Sequence, residues 1–342
     1  MSGWKSLSCL AACGAALCAP PALAAEDSAA KFYAGRTVTL LCGSGPGGGY
    51  DRDARIVEQH IVRHIPGHPT IVMQYMPGAS GMKAANYLYA IAPKDGSMFA
   101  LLTPTAAYLQ KTSDGARYDA AKFQYVGRLA SLNNVLVVWH SAPATRLADM
   151  KKTEVVLAAV GKGDQGFVGP AMMRELLGYK FKLITGYPDA KQAVLALERG
   201  EVQGRTSGWP AWQAEYPEWV AQKKIVPIVE IGLQSSKEFA GKIPLVLDLV
   251  HDPRQRQLLE FTSASAAIGR VFSMPPKVPA DRVQAFRRAF DATMADPVFL
   301  ADAKKRKTAV EPMTGEEAQK IVEKAVSVSP DIVSEVKRLL AK

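Results

Sequence analysis

The sequence predicts an α/β protein of two lobes, each a mixed sheet flanked by helices, with a ligand cleft between them. Three observations predict it. Apolar strand-like runs alternate with polar loops and helical patterns three times from residue 37 to the short helical piece after Thr105, and again from 154 to 206. Such alternation builds parallel sheets whose loops gather at the carboxyl ends of the strands, where sheets of this kind bind ligands. Two β-rich stretches, 123–140 between the sets and 268–273 after the second, read as segments crossing from one lobe to the other and back. Finally, 342 residues with 48% hydrophobic composition are too many for one ordinary core.

The chain opens with one lysine, Lys5, an apolar run over 7–19, and Pro20-Pro-Ala-Leu-Ala24, which offers an A-x-A cleavage site. This pattern is a secretory signal peptide, so cleavage near Ala24 and a periplasmic location are expected. Leu10-Ala-Ala-Cys13 also resembles a lipoprotein box, but it leaves only a handful of apolar residues before the cut. Three of the four cysteines leave with the leader, and Cys42 alone cannot form an internal disulfide. No later stretch reaches the roughly 18 apolar residues of a membrane span.

Residues 37–41 read as the first strand and lead into Cys42-Gly-Ser-Gly-Pro-Gly-Gly-Gly-Tyr-Asp51. Glycines let a backbone approach a ligand closely and accept positive φ. A helix follows over about 50–65, with Ala54, Val57, Ile61 and Ile65 on one face. Its first turn points unpaired N–H groups at the loop, an anion site made of backbone with no cationic side chain. Gly43, Gly45 and Gly48 also match the dinucleotide pattern G-x-G-x-x-G. The second strand, 70–75, runs into Gln74, Tyr75 and Met76 where a ribose-binding acid belongs, and a turn serving only to pack helix on strand is a further reading. Asp51 either caps the helix or orders water around a ligand.

The second strand enters Pro77-Gly78-Ala-Ser80-Gly81 before a helix over 82–91, and the third, 97–102, enters Thr103-Pro-Thr105. In the second set, strand 154–160 precedes Gly161-Lys-Gly163-Asp164-Gln165-Gly166 and a helix over 167–177. Strand 181–185 then precedes Gly186-Tyr187-Pro188 and a helix closed by Gly200. Strands 202–206 and 225–231 complete that sheet, and the tail from 281 is nearly all helical pattern. The lobes are expected to comprise 32–134 with 270–342, and 135–269. Arg205 ends an inner strand, where it meets the ligand or a carboxylate of its own lobe. Trp209 and Trp212 read as packing residues.

Other chemistries lack anchors. His60, His64 and His68 are four apart, yet Pro66 breaks the register, and histidines suit a helix C-terminus without any metal. Neither G-x-S-x-G nor H-E-x-x-H occurs. The net charge of +10 suits anionic solutes or lipid headgroups, but the basic run Lys304-Lys-Arg-Lys307 has no interleaved aromatics and reads as a solvated helix face, not a nucleic-acid patch.

Pro46-Gly-Gly-Gly-Tyr-Asp51, Met76-Pro-Gly-Ala-Ser-Gly81, Ala92-Pro-Lys-Asp-Gly96, Gly186-Tyr-Pro188, Glu201-Val202 and the segment 272–279 occur in an order and spacing that resembles the substrate-binding receptors of tripartite tricarboxylate transporters, the Bug family. The resemblance covers nearly the whole chain after the leader. It implies a two-lobed periplasmic binding protein type II fold, no catalysis, no cofactor, no metal, a monomer, and membrane transporter subunits as partners. It also implies a small organic carboxylate held by backbone amides of two equivalent loops. On this reading the ligand-binding residues are Gly47, Gly48, Gly49, Tyr50, Asp51, Gly78, Ser80, Thr103, Gly163, Asp164, Gln165, Gly166, Tyr187 and Arg205. Similar receptors carry Ser or Thr in the second loop, where this chain has Asp164 and Gln165. Either Asp164 points to solvent and Arg205 takes a distal acid group, or Asp164 accepts a hydrogen bond from a ligand hydroxyl or ammonium and the ligand is a monocarboxylate. The second is preferred, because Lys162 is the loop's only other cation. A sensor feeding a membrane kinase and a dinucleotide-binding enzyme are the alternative functions; export disfavours the enzyme.

Overall fold

The computed structural model describes residues 28–342, so the expected leader and its cleavage site lie outside the described residues. The strands are β1 (Thr37–Cys42), β2 (Thr70–Tyr75), β3 (Met98–Leu101), β4 (Gln124–Arg128), β5 (Asn134–Trp139), β6 (Val155–Ala158), β7 (Phe181–Ile184), β8 (Gly204–Gly208), β9 (Ile225–Ile231), β10 (Val271–Met274) and β11 (Met313–Thr314). The helices are α1 (Gly49–Ile61), α2 (Met82–Ala90), α3 (Ala106–Thr112), α4 (Gln165–Leu177), α5 (Ala190–Glu198), α6 (Trp209–Glu215), α7 (Pro217–Ala221), α8 (Pro253–Ile268), α9 (Ala280–Ala295), α10 (Pro297–Lys305), α11 (Gly315–Val326) and α12 (Pro330–Ala341).

Two mixed sheets result, in the orders β11-β4-β10-β3-β1-β2 and β7-β6-β8-β5-β9. In the first, β1 lies parallel between β2 and β3, with Cys42 level with both Tyr75 and Leu101. The loops leaving these strands therefore start at one height. In the second, Ala158 of β6 is level with Ile184 of β7 and Arg205 of β8, all three strands parallel. Each trio is flanked by an antiparallel strand: β10 beside β3, and β5 beside β8.

The stretch 123–140, read as one crossing, is two strands in different sheets joined by 129–133. The return crossing follows α8 through Gly269 and Arg270. The crossings bond to each other: Leu129 N–H donates to Arg270 O at 2.8 Å, and Arg270 N–H to Ala130 O at 2.9 Å. Gly269 has φ +57°, and a Cβ there would stand 2.2 Å from Ala130 O, so only glycine fits this approach.

Helix α1 buries Ala54, Val57 and Ile61 against β1, as its periodicity predicts, sharing a core with Phe99, Phe272 and Phe286. It ends at Ile61, four residues earlier than expected, because the residue before Pro66 is disfavoured in helical conformation and the approach to it is turns. The second sheet is covered on both faces, by Phe167, Val168 and Met172 of α4 on one and by Val194, Leu197, Trp209 and Trp212 on the other. Helix α12, grouped by sequence with the first lobe, packs Ile332, Val336 and Leu339 into the core of the second. No helix among the described residues is long and apolar enough to cross a membrane.

Candidate functional site

The glycine loop turns from β1 into α1 through Gly47, whose φ of +81° is left-handed. Its N–H does not face the cleft. It donates to Asp51 Oδ2 at 2.7 Å, while Asp51 Oδ1 accepts from Tyr75 Oη at 2.5 Å and from Arg55 Nε at 2.8 Å. Asp51 thus does not cap the helix, whose N-cap is Gly48; it ties the loop to β2. Burial pushes the Asp51 carboxyl up, but the hydrogen bonds from Tyr75, Gly47 and Arg55 outweigh it and hold the group below its ordinary range. Burial and the bond to Asp51 push Tyr75 up to about 12. Tyr75 is therefore occupied where a dinucleotide fold would place its ribose acid.

The first-turn N–H groups without an intrahelical partner belong to Gly48, Gly49, Tyr50 and Asp51, since the first bond is from Arg52 N–H to Gly48 O. A Cβ at Gly48 would meet nothing within 4 Å, so this face is open. At Gly49 the surroundings are charged: a Cβ there would lie 3.4 Å from Arg270 Nη2, 3.5 Å from Arg52 Nη2 and 3.9 Å from Glu215 Oε1. A cradle of backbone alone, expected from sequence, is thus corrected, since two guanidiniums stand beside it. Arg270 lies flat over the Tyr50 ring, 3.6 Å from its centroid, and donates Nε to Asp53 Oδ2 at 2.6 Å. Burial opposes its charge, but Tyr50 and Asp53 prevail and raise its pKa. Its Nη1 is buried without a partner.

The other loops of the first lobe shape one another. Gly78 and Gly81 have φ of +131° and +90°, and Ser80 of +54°. Gly81 presses so closely on Thr103 that a Cβ would overlap its hydroxyl. Thr103 Oγ1 donates to Ser80 O at 3.0 Å, with Thr105 donating to the same carbonyl at 3.2 Å, so the Thr103 hydroxyl props the loop.

In the second lobe Asp164 occupies the N-cap position of α4 without a side-chain capping bond, and its Oδ2 lies 3.4 Å from Val160 N, folded back over its own loop. Gln165 is buried and directs Nε2 at Thr262 O of α8, 3.4 Å away, so its side chain leaves the cleft. A Cβ at Gly166 would stand 2.8 Å from Asp164 Oδ2; at Gly163 it would stand 3.2 Å from Ser80 Oγ, a contact between lobes. Tyr187 packs beside the apolar cluster of Ala193 and Trp212.

Arg205 is only 6% exposed. Its Nε has no partner, and no salt bridge ties it to a carboxylate of its own lobe among the described residues. Burial pulls its pKa down, against the fields of Asp164, Tyr216, Glu215 and Asp189. From α6, Glu215 reaches across to Arg52 Nη1 at 3.8 Å, and from α5 Lys191 Nζ lies 3.1 Å from where a Cβ of Gly47 would be. Burial pushes the Glu215 carboxyl up, with Arg52, Lys191, Arg205 and Arg270 pulling the other way. Arg52, Arg270, Glu215 and Lys191 were missed from sequence. The one legible signal was Arg270, a lone cation between Gly269 and an apolar strand at a crossing.

His60 and His64 point Nε2 at Asp302 and Asp296, both at 2.9 Å, pinning the far end of α1 to α10. Among the described residues no three His, Cys, Asp or Glu side chains are grouped to hold a metal.

No protein-family model and no curated protein matches the sequence. Solved structures do. The periplasmic binding protein BugD is similar over 89% of this chain and 97% of its own, with TM-score 0.69 and 18% identity. An R. palustris protein solved with adipate matches over 90% and 97%, at TM-score 0.67 and 19% identity. MatC from Rhodopseudomonas palustris, solved with bound malate, matches over 87% and 99%, at TM-score 0.67 and 16% identity. At these identities the likeness shows the fold, and it is the two-lobed periplasmic binding-protein fold.

Proposed function

We propose that the chain is an extracytoplasmic receptor that captures a small organic carboxylate between its lobes, without catalysis, and delivers it as a monomer to the membrane subunits of a tripartite tricarboxylate-type transporter. The export signal at 1–24 supports a periplasmic site of action, and the neighbours solved with adipate and malate support an organic acid. The observation that carries the reading is Arg205, buried on the central strand of the second sheet, with no salt bridge among the described residues and its Nε without a partner. Burying a lone charge costs several kcal/mol unless an opposite charge joins it. An acid entering between the N-termini of α1 and α4 supplies that charge. Each charge-assisted bond contributes about 1.5–3 kcal/mol, so three first-turn amides with Arg205 give roughly 6–12 gross, a range that spans the about 8 net of micromolar affinity.

The folded-back Asp164 and the unpaired Arg205 favour the arrangement in which Arg205 receives an acid group, over the one in which Asp164 contacts the ligand. Two lobes of 32–134 with 270–342 and of 135–269 remain the proposed division, with α12 serving the second core. The test is thermal unfolding against mono-, di- and tricarboxylates. A ligand at 100 times its Kd adds roughly 2.7 kcal/mol, so at least one acid should raise Tm by several degrees. If none does, the receptor reading fails.

A further inference from the structure

At the corner beside Gly49, Glu215 Oε1 stands near two guanidiniums. We propose that Arg52, Arg270 and the first-turn amides of α1 form a carboxylate subsite whose resident occupant in the free protein is the Glu215 side chain, and that an entering ligand carboxylate displaces it. The proposal deepens the carboxylate reading of this cleft and rests on it.

Four observations bear on the corner. Arg270 is 6% exposed, and its Nη1 is buried without an acceptor. An unmade hydrogen bond from a buried group is costly, so this donor favours an incoming acceptor. Arg270 Nη2, Arg52 Nη2 and Glu215 Oε1 all lie within 3.9 Å of one point, the Cβ position of Gly49. They arrive from a crossing segment, from α1 and from the opposite lobe, so no local turn forces the meeting. Glu215 is also held loosely, since its approach to Arg52 at 3.8 Å is an ion pair and too long for a hydrogen bond. A ligand carboxylate at hydrogen-bonding distance of the same donors therefore outcompetes it.

The charges decide between a ligand carboxylate that replaces Glu215 and a ligand ammonium that joins it. Arg52, Lys191, Arg205 and Arg270 all act on Glu215, while Asp53 is bonded to Arg270 and paired with Arg52 Nε at 3.7 Å, and Asp164 lies in the field of Arg205. A further cation beside Glu215 would add to existing repulsion. Replacement by an anion keeps the balance.

Acetate is the probe, titrated by thermal unfolding against the wild type, Glu215→Gln, and Glu215→Gln with Arg52→Gln. Glu215 and Arg52 are partly exposed, so all three proteins should fold, and circular dichroism checks this. Glu215→Gln should bind acetate at least tenfold more tightly than wild type, and Arg52→Gln should remove that gain. Acetate binding that is unchanged, weaker or absent in Glu215→Gln overturns the proposal, as does a gain that survives Arg52→Gln. Weaker binding would point to Glu215 as a direct ligand contact. Failure of the receptor reading looks different: no acid in the panel stabilises the wild type, while Glu215→Gln still takes acetate.

Discussion

Asp51 shows how one side chain can fix the shape of a loop. By taking the Gly47 N–H it fixes the left-handed turn, and through Tyr75 it locks the turn to β2. Its folded pKa lies below the unfolded value, so its contribution is complete above about pH 4 and is lost as pH falls through the folded value. Asp51→Ala leaves the Tyr75 hydroxyl and the Gly47 amide without acceptors and should cost about 1–3 kcal/mol at pH 7. In urea unfolding that gap should narrow toward pH 3; a gap that does not change with pH contradicts the assignment. Gly48 is the complementary case. Its Cβ direction is open, so Gly48→Val should leave Tm within a few degrees while abolishing binding of the best acid. Arg205→Met removes a buried charge without a counterion. It should stabilise the free protein or leave it neutral, up to about 4 kcal/mol, yet weaken acid binding at least tenfold, whereas a structural salt bridge would give lower stability. Gly48 was legible because strand, glycines and helix are contiguous. The amide of Gly47 was not, since its partner's position depends on Tyr75, and Glu215 reaches Arg52 only through the tertiary fold.

At the scale of elements, the crossings decide where the charges fall. Arg270 enters the cleft because Gly269 brings the return segment against residue 130, and the mutual hydrogen bonds hold the two crossings as a pair. Gly269→Ala forces a Cβ into the Ala130 carbonyl at a positive φ. Backbone strain of this kind is of order 1–3 kcal/mol, and the clash adds to it. Denaturant unfolding should show a loss of at least about 1 kcal/mol, and a change under about 0.5 would mean the approach is not tight. The strand, loop and helix alternation was readable because each helix shows one apolar stripe and each loop carries glycine or proline. The failures have equally physical causes. A two-residue strand such as β11 has no period to detect, and α12 carries a stripe that fits either lobe, so only packing assigns it to the second.

For the whole molecule, α1 and α4 each follow the carboxyl end of a parallel strand, β1 and β6, and Arg52 of α1 pairs with Glu215 of α6 at 3.8 Å. A ligand would favour closure of the lobes only by what it gains from both together. The two-lobed plan was legible from the order of motifs. The electrostatics of the cleft were not, because its cations come from β8, α5, α1 and a crossing that converge only in the fold. Calorimetry comparing the best organic acid of the panel with the amide of the same skeleton tests the central claim most directly. The protein should bind the acid at least tenfold more tightly, about 1.4 kcal/mol, and Arg205→Met should erase that margin; equal binding of acid and amide would contradict a cleft built around a carboxylate.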